Sequence, residues 1–144
     1  MSRERDADKI ELSWDLPHPP EKVWRALTEP ALVAQWLLPT DMELKPGRPF
    51  RFRGEPNPLW DGVVRSEVLE LEPGRRLAYT WVAGGPVGLD SRVTWTLTPI
   101  RGGTRLSLEH AGFKAGNGPA FQGARAGWNR NVGERMAAAL AAMD

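Results

Sequence analysis

The spacing of apolar residues changes period three times along this chain. Ile10, Leu12, Trp14 and Leu16 alternate with Glu11, Ser13 and Asp15, which predicts a half-buried strand over residues 9–16. Pro17, Pro19 and Pro20 stop it, and Pro20-Glu21 suits the first turn of a helix, where a missing N–H and an acid are both tolerated. Val23, Trp24 and Leu27 give that helix a short apolar face, and Pro30 ends it and opens a second one carrying Leu32, Val33, Trp36 and Leu37. Pro39 closes the pair.

From Met42 the period returns to two. A short strand is expected at Met42–Leu44, a turn at Pro46-Gly47, and a strand in which Phe50 and Phe52 alternate with Arg51 and Arg53. After the loop Gly54–Pro58, residues 60–71 read as one long strand whose mixed faces predict a bulge or a strong twist near Arg65–Glu67. Leu77, Tyr79 and Trp81 alternate again, as do Leu89, Ser91, Val93, Trp95 and Leu97. Arg101-Gly102-Gly103 signals a hairpin back through Thr104, Leu106 and Leu108. The last change is at Gly118. Phe121, Ala124, Trp128, Val132, Met136, Leu140 and Met143 recur at helical spacing, with Arg130 and Glu134 opposite, Gln122 and Asn129 at the flank, and Arg125 at an angle among the apolar residues. A strand, two short helices, a run of strands and one long helix predict an α+β domain with helices on one face of an antiparallel sheet.

Length adds that one domain is present, over residues 9–144, with residues 1–8 a charged, frayed end. The formal net charge of +1, with interspersed signs, gives no footprint for a nucleic-acid or anionic-membrane partner. No cysteine, signal-like start or membrane-length apolar run is present, so a soluble cytoplasmic protein is expected. The unusual feature is seven tryptophans, whose flat apolar area either fills a core or lines a pocket.

Pro19-Pro20-Glu21-Lys22-Val23-Trp24-Arg25-Ala26-Leu27-Thr28-Glu29-Pro30, followed by Trp36, resembles the entry of activator-of-heat-shock-ATPase-type domains of the START-like (SRPBCC) superfamily. Gly62-Val63, Leu69 through Pro73, Leu77, Trp81, the segment Gly103–Phe113 and Gly127-Trp128 continue the pattern. The resemblance covers residues 9–140. It implies the helix-grip fold: a curved antiparallel sheet of about six or seven strands around the C-terminal helix, with two short helices after the first strand and a cavity between helix and sheet. It also implies a choice of roles, since such domains bind apolar ligands, stimulate a chaperone ATPase or cyclise polyketides. The eukaryotic co-chaperone carries a further domain ahead of this one, without counterpart here, so the chaperone partner ranks second.

Motifs for catalysis are few. His18 sits between prolines and reads as exposed; His110, at the end of the last strand, reads as a histidine capping strand-end backbone groups ahead of a general base or ligand anchor. No His-Glu-x-x-His spacing supports a metal, and the loop around Gly84-Gly85 does not run from strand into helix as a phosphate cradle does. Glu70 with Glu72 and Asp41 with Glu43 read as solvated strand faces. No cofactor is implied. The candidate ligand-binding cavity is Trp36, Phe50, Phe52, Trp60, Tyr79, Trp81, Trp95, His110, Phe113, Phe121, Trp128 and Met136, with Arg65 and Arg125 as further polar candidates. The expected function is non-catalytic binding of a small apolar or aromatic molecule. Stimulation of a heat-shock ATPase comes second, and a cyclase or hydratase using His110 or Tyr79 third.

Overall fold

The computed structural model describes residues 9–85, 88–114 and 118–143. The charged start at residues 1–8, the tip of the loop after residue 85 and the middle of the link before the last helix lie outside them. Six strands form one antiparallel sheet in the order β1-β6-β5-β4-β3-β2. They are β1 (Lys9–Leu16), β2 (Pro49–Arg53), β3 (Val63–Glu72), β4 (Arg76–Ala83), β5 (Leu89–Ile100) and β6 (Gly103–Ala111). The first strand therefore closes beside the last, Lys9 opposite Ala111 and Leu16 opposite Thr104.

One face of this curved sheet is dry. Ile10 and Leu16, Phe50 and Phe52, Leu77 and Tyr79, Val93, Trp95 and Leu97, and Leu106 and Leu108 all point into one core. Their neighbours Glu11, Arg51, Arg92 and Arg105 stay wet, which is why period-two alternation was such a direct signal. Between β1 and β2 come α1 (Pro20–Thr28) and α2 (Pro30–Trp36), each with proline in its first turn. Val23, Ala26 and Leu27 of α1 and Val33 and Trp36 of α2 are buried, and the Trp36 indole N–H donates to the Ala26 carbonyl at 2.8 Å, tying the two helices together.

Two strand expectations are corrected. Residues 42–44 are not a strand. The contact with β2 is made just before them, largely by side chains: the Thr40 hydroxyl donates to the Arg51 carbonyl and the Asp41 carboxylate accepts the Arg51 N–H, both at 2.7 Å, while the Met42 N–H turns back to the Thr40 hydroxyl. The long strand starts at Val63 rather than Trp60, and its bulge lies later than expected. Val68 pairs with Tyr79 while Glu70 pairs with Ala78, so Leu69 is the extra residue. The inward set accordingly switches from Val64, Ser66 and Val68 to Leu71, and Leu69 is left 46% exposed.

The C-terminal helix crosses the concave face in three pieces: α3 (Gly118–Arg130), a π-helical segment (Asn131–Met136) and α4 (Ala137–Ala142). Met143 has left the helix, with ψ of 149°. Trp128, Val132, Met136 and Leu140 are all buried. Residues spaced by four drift about 40° per step around an ordinary α-helix. The wider π turn rotates less per residue, which offsets the drift and keeps the stripe on the sheet. Arg125 does not join it and is exposed. No helix among the described residues is long and apolar enough to cross a membrane.

Candidate functional site

A cleft of about 750 Å³ lies between α3 and the dry face of the sheet. On the helix side its wall is Ala120, Gly123, Ala124, Gly127 and Trp128. These positions, at i, i+3, i+4, i+7 and i+8, share one face of α3, and all but the tryptophan lack a side chain large enough to fill the space. A Cβ added at Gly123 or Gly127 would meet nothing within 4 Å. Two glycines inside a helix cost about 1 kcal/mol each relative to alanine, so the opening is kept at the expense of stability.

The sheet side is Val64, Trp81, Ala83, Leu89 and His110; Leu37 and Leu38, just beyond α2, close one end. The rim carries Asn57, Leu59, Trp60, Gly84, Arg130 and Asn131. Asn57 and Trp60 exchange backbone hydrogen bonds of 2.9 and 3.2 Å, and the Asn57 side-chain oxygen accepts the Leu59 N–H, so the rim is a tight turn that holds Leu59 out, 61% exposed. The Trp60 indole donates to the Val63 carbonyl at 3.0 Å.

The polar groups behind the cleft form one directed chain. An indole N–H can only donate, so Trp128 donates to His110 Nδ1 at 3.0 Å. The proton of His110 is therefore on Nε2, facing Ser91 Oγ at 2.8 Å, and the Ser91 hydroxyl donates to the Trp81 carbonyl at 2.7 Å. Every member is satisfied, and the imidazole is the neutral Nε2–H tautomer. Burial pushes His110 down from its usual 6.5 to about 3. This corrects the expectation that His110 caps backbone groups: its partners are the side chains of Ser91 and Trp128. Neither nitrogen has a lone pair or proton to spare for a substrate. Tyr79 is likewise engaged. Its hydroxyl accepts the Trp95 indole N–H at 2.9 Å, and complete burial pushes the phenol pKa up.

Of the twelve cavity candidates, four reach the cleft: Trp60, Trp81, His110 and Trp128. Trp36, Phe50, Phe52, Tyr79, Trp95, Phe113, Phe121 and Met136 do not line it; they pack in the core around it. The rings touch in sequence, with Trp36–Trp95, Trp95–Trp128, Trp128–Trp81 and Trp81–Phe52 centroids 5.7, 5.4, 5.2 and 5.2 Å apart. Phe113 stacks edge-on between His110 and Phe121. Arg65 bonds Asp61 outside the cleft, and Arg125 stays on the surface. His18 is half-buried, and its pKa is lowered by burial and by Lys22. Among the described residues no three metal-ligating side chains gather.

Sequence reasoning missed, as lining, the small residues of α3, the leucines at the cleft ends, and Arg130, which is exposed as helical spacing placed it but also borders the cleft. The Ala120-Gly123-Ala124-Gly127 periodicity was the signal available for the first of these.

A curved antiparallel sheet gripping a C-terminal helix, with an open cleft between them, defines a helix-grip protein of the START-like (SRPBCC) class. Residues 17–141 match the family described as Activator of Hsp90 ATPase homolog 1-like protein, and the chain belongs to that family. Among solved structures it is similar to protein MLL2253 from Mesorhizobium loti, with 37% identity and a TM-score of 0.86 over 94% of this chain and 98% of that one. It is also similar to DynU16, a putative protein in the dynemicin biosynthetic locus, at 31% identity and TM-score 0.79; the match covers 94% of this chain but 48% of that one. CalU16 from Micromonospora echinospora follows at 26% identity and TM-score 0.75, over 93% of this chain and 76% of that one. Among curated proteins, none matches significantly.

Proposed function

We propose that this protein binds a small apolar or aromatic molecule in the cleft between α3 and the sheet, without transforming it. The observation that carries this is the cleft itself: three indoles and a set of leucines form walls, while the facing helix is stripped to alanine and glycine. Its size falls within the range of about 300–1,000 Å³ usual for small-molecule sites. Support for a non-catalytic role comes from the lining. Among the described residues no carboxylate or hydroxyl side chain reaches it, and the one imidazole that does has both nitrogens committed. Stimulation of a chaperone ATPase, the role carried by the family description, has only that description behind it, whereas the cleft is a physical property of this chain.

Titration with the neutral fluorophore phenylnaphthylamine, followed by quenching of the tryptophans, tests the proposal. Saturable binding is expected in the native protein, and Gly127→Leu, which fills open space with helix-favouring bulk, is expected to abolish it while the protein stays folded. Binding that survives Gly127→Leu at full strength contradicts the assignment to this cleft.

A further inference from the structure

Resting on that reading of the cleft, we propose that its ligand is an organic anion: an apolar or aromatic body against the indoles, and a single acidic head group at the mouth, held by Arg130.

Arg130 is the one charged side chain lining the cleft among the described residues; His110, behind it, is neutral. An arginine on a helix surface ordinarily finds an acid four residues away, and Glu134 stands there. Among the described residues Arg130 nevertheless forms no ion pair, whereas Arg25–Glu29, at the same spacing at the end of α1, closes to 2.8 Å. A guanidinium is thus left uncompensated beside an apolar space.

Its neighbours suit the same occupant. Asn131 follows it on the rim, and Asn57 lies on the rim too. The Asn57 side-chain oxygen already accepts the Leu59 N–H, while its NH2 donors have no partner among the described residues. A planar fork with amide donors nearby, and no acid on the wall, is complementary to a carboxylate or sulfonate and unfavourable to a cation. Ala120, Gly123, Ala124 and Gly127 lie on the face of α3 that ends at Arg130, so a flat body laid along them brings its head group to the guanidinium.

The test compares two probes with one aromatic framework, anionic anilinonaphthalene sulfonate and neutral phenylnaphthylamine, in the native protein, Arg130→Gln and Gly127→Leu. The quantity read is the ratio of their affinities. Arg130→Gln is expected to shift it by about two- to fivefold toward the neutral probe, the upper part of what an exposed ion pair commands. Added salt is expected to move the ratio the same way in the native protein and to have little effect in the variant. If Gly127→Leu displaces both probes but Arg130→Gln leaves the ratio unchanged, the cleft stands as a ligand site and the head-group assignment is overturned. If neither probe responds to Gly127→Leu, the cleft reading fails and this inference fails with it.

Discussion

Trp128 and His110 hold helix and sheet together through one hydrogen bond in which neither partner has an alternative. Trp128→Phe removes the donor and leaves His110 Nδ1 buried without a partner, a loss of about 1–3 kcal/mol before any packing defect is counted. The ring stays buried, so its pKa is expected to remain well below 6.5 in Trp128→Phe, which imidazole proton shifts followed through a pH titration would report. A rise toward 6.5 would mean that the indole bond, and not burial, holds the proton off. The same imidazole couples stability to pH. Its folded pKa lies below its unfolded one, so the unfolded state takes up the proton first. The stabilisation is complete above about pH 6.5 and is lost as pH falls toward 3, by up to about 1.4 kcal/mol per unit. His18 is shifted in the same direction, so the clean comparison is made in His18→Asn. There the urea midpoint is expected to fall between pH 7 and 5, a window above ordinary carboxylate titration; a flat profile would contradict the buried neutral imidazole.

At the scale of elements, α3 is a helix whose sequence works against its own stability. Gly123→Ala is expected to raise stability by about 1 kcal/mol in thermal or urea unfolding, because a methyl there meets open space. Destabilisation instead would mean that this face of the helix is packed. The strands were legible because one face of each is wet, which makes alternation a direct record of the dry face. Legibility failed where that condition failed. The mixed faces of β3 announced a bulge, but with Val68 and Leu69 both apolar the pattern did not show which residue was the extra one, and Thr40 and Asp41 satisfy backbone groups with side chains, which periodicity does not register. The site was less legible than the fold for a related reason. Alternation reports which face a ring is on, not how far along its strand it stands from the helix. Trp81 and Tyr79 share the dry face of β4, two residues apart, yet the first opens on the cleft and the second lies sealed among Phe50, Phe52 and Trp95. Arg130 was placed on the wet side, where it is exposed, but periodicity does not report that it stands at the mouth of a cleft.

For the molecule as a whole, the account is that seven tryptophans divide into builders and receivers. Trp36 and Trp95 are sealed in the core, Trp14 and Trp24 pack at its edge, and Trp60, Trp81 and Trp128 face the cleft. This division is open to one measurement, since each indole N–H gives its own resonance in a nitrogen–proton correlation spectrum, assignable by single Trp→Phe variants. Titration with phenylnaphthylamine is predicted to move the signals of Trp60, Trp81 and Trp128 together, to a common saturation point, while those of Trp14 and Trp24 stay in place. Movement of Trp14 or Trp24 with the three cleft indoles unmoved would place any binding elsewhere and contradict the account.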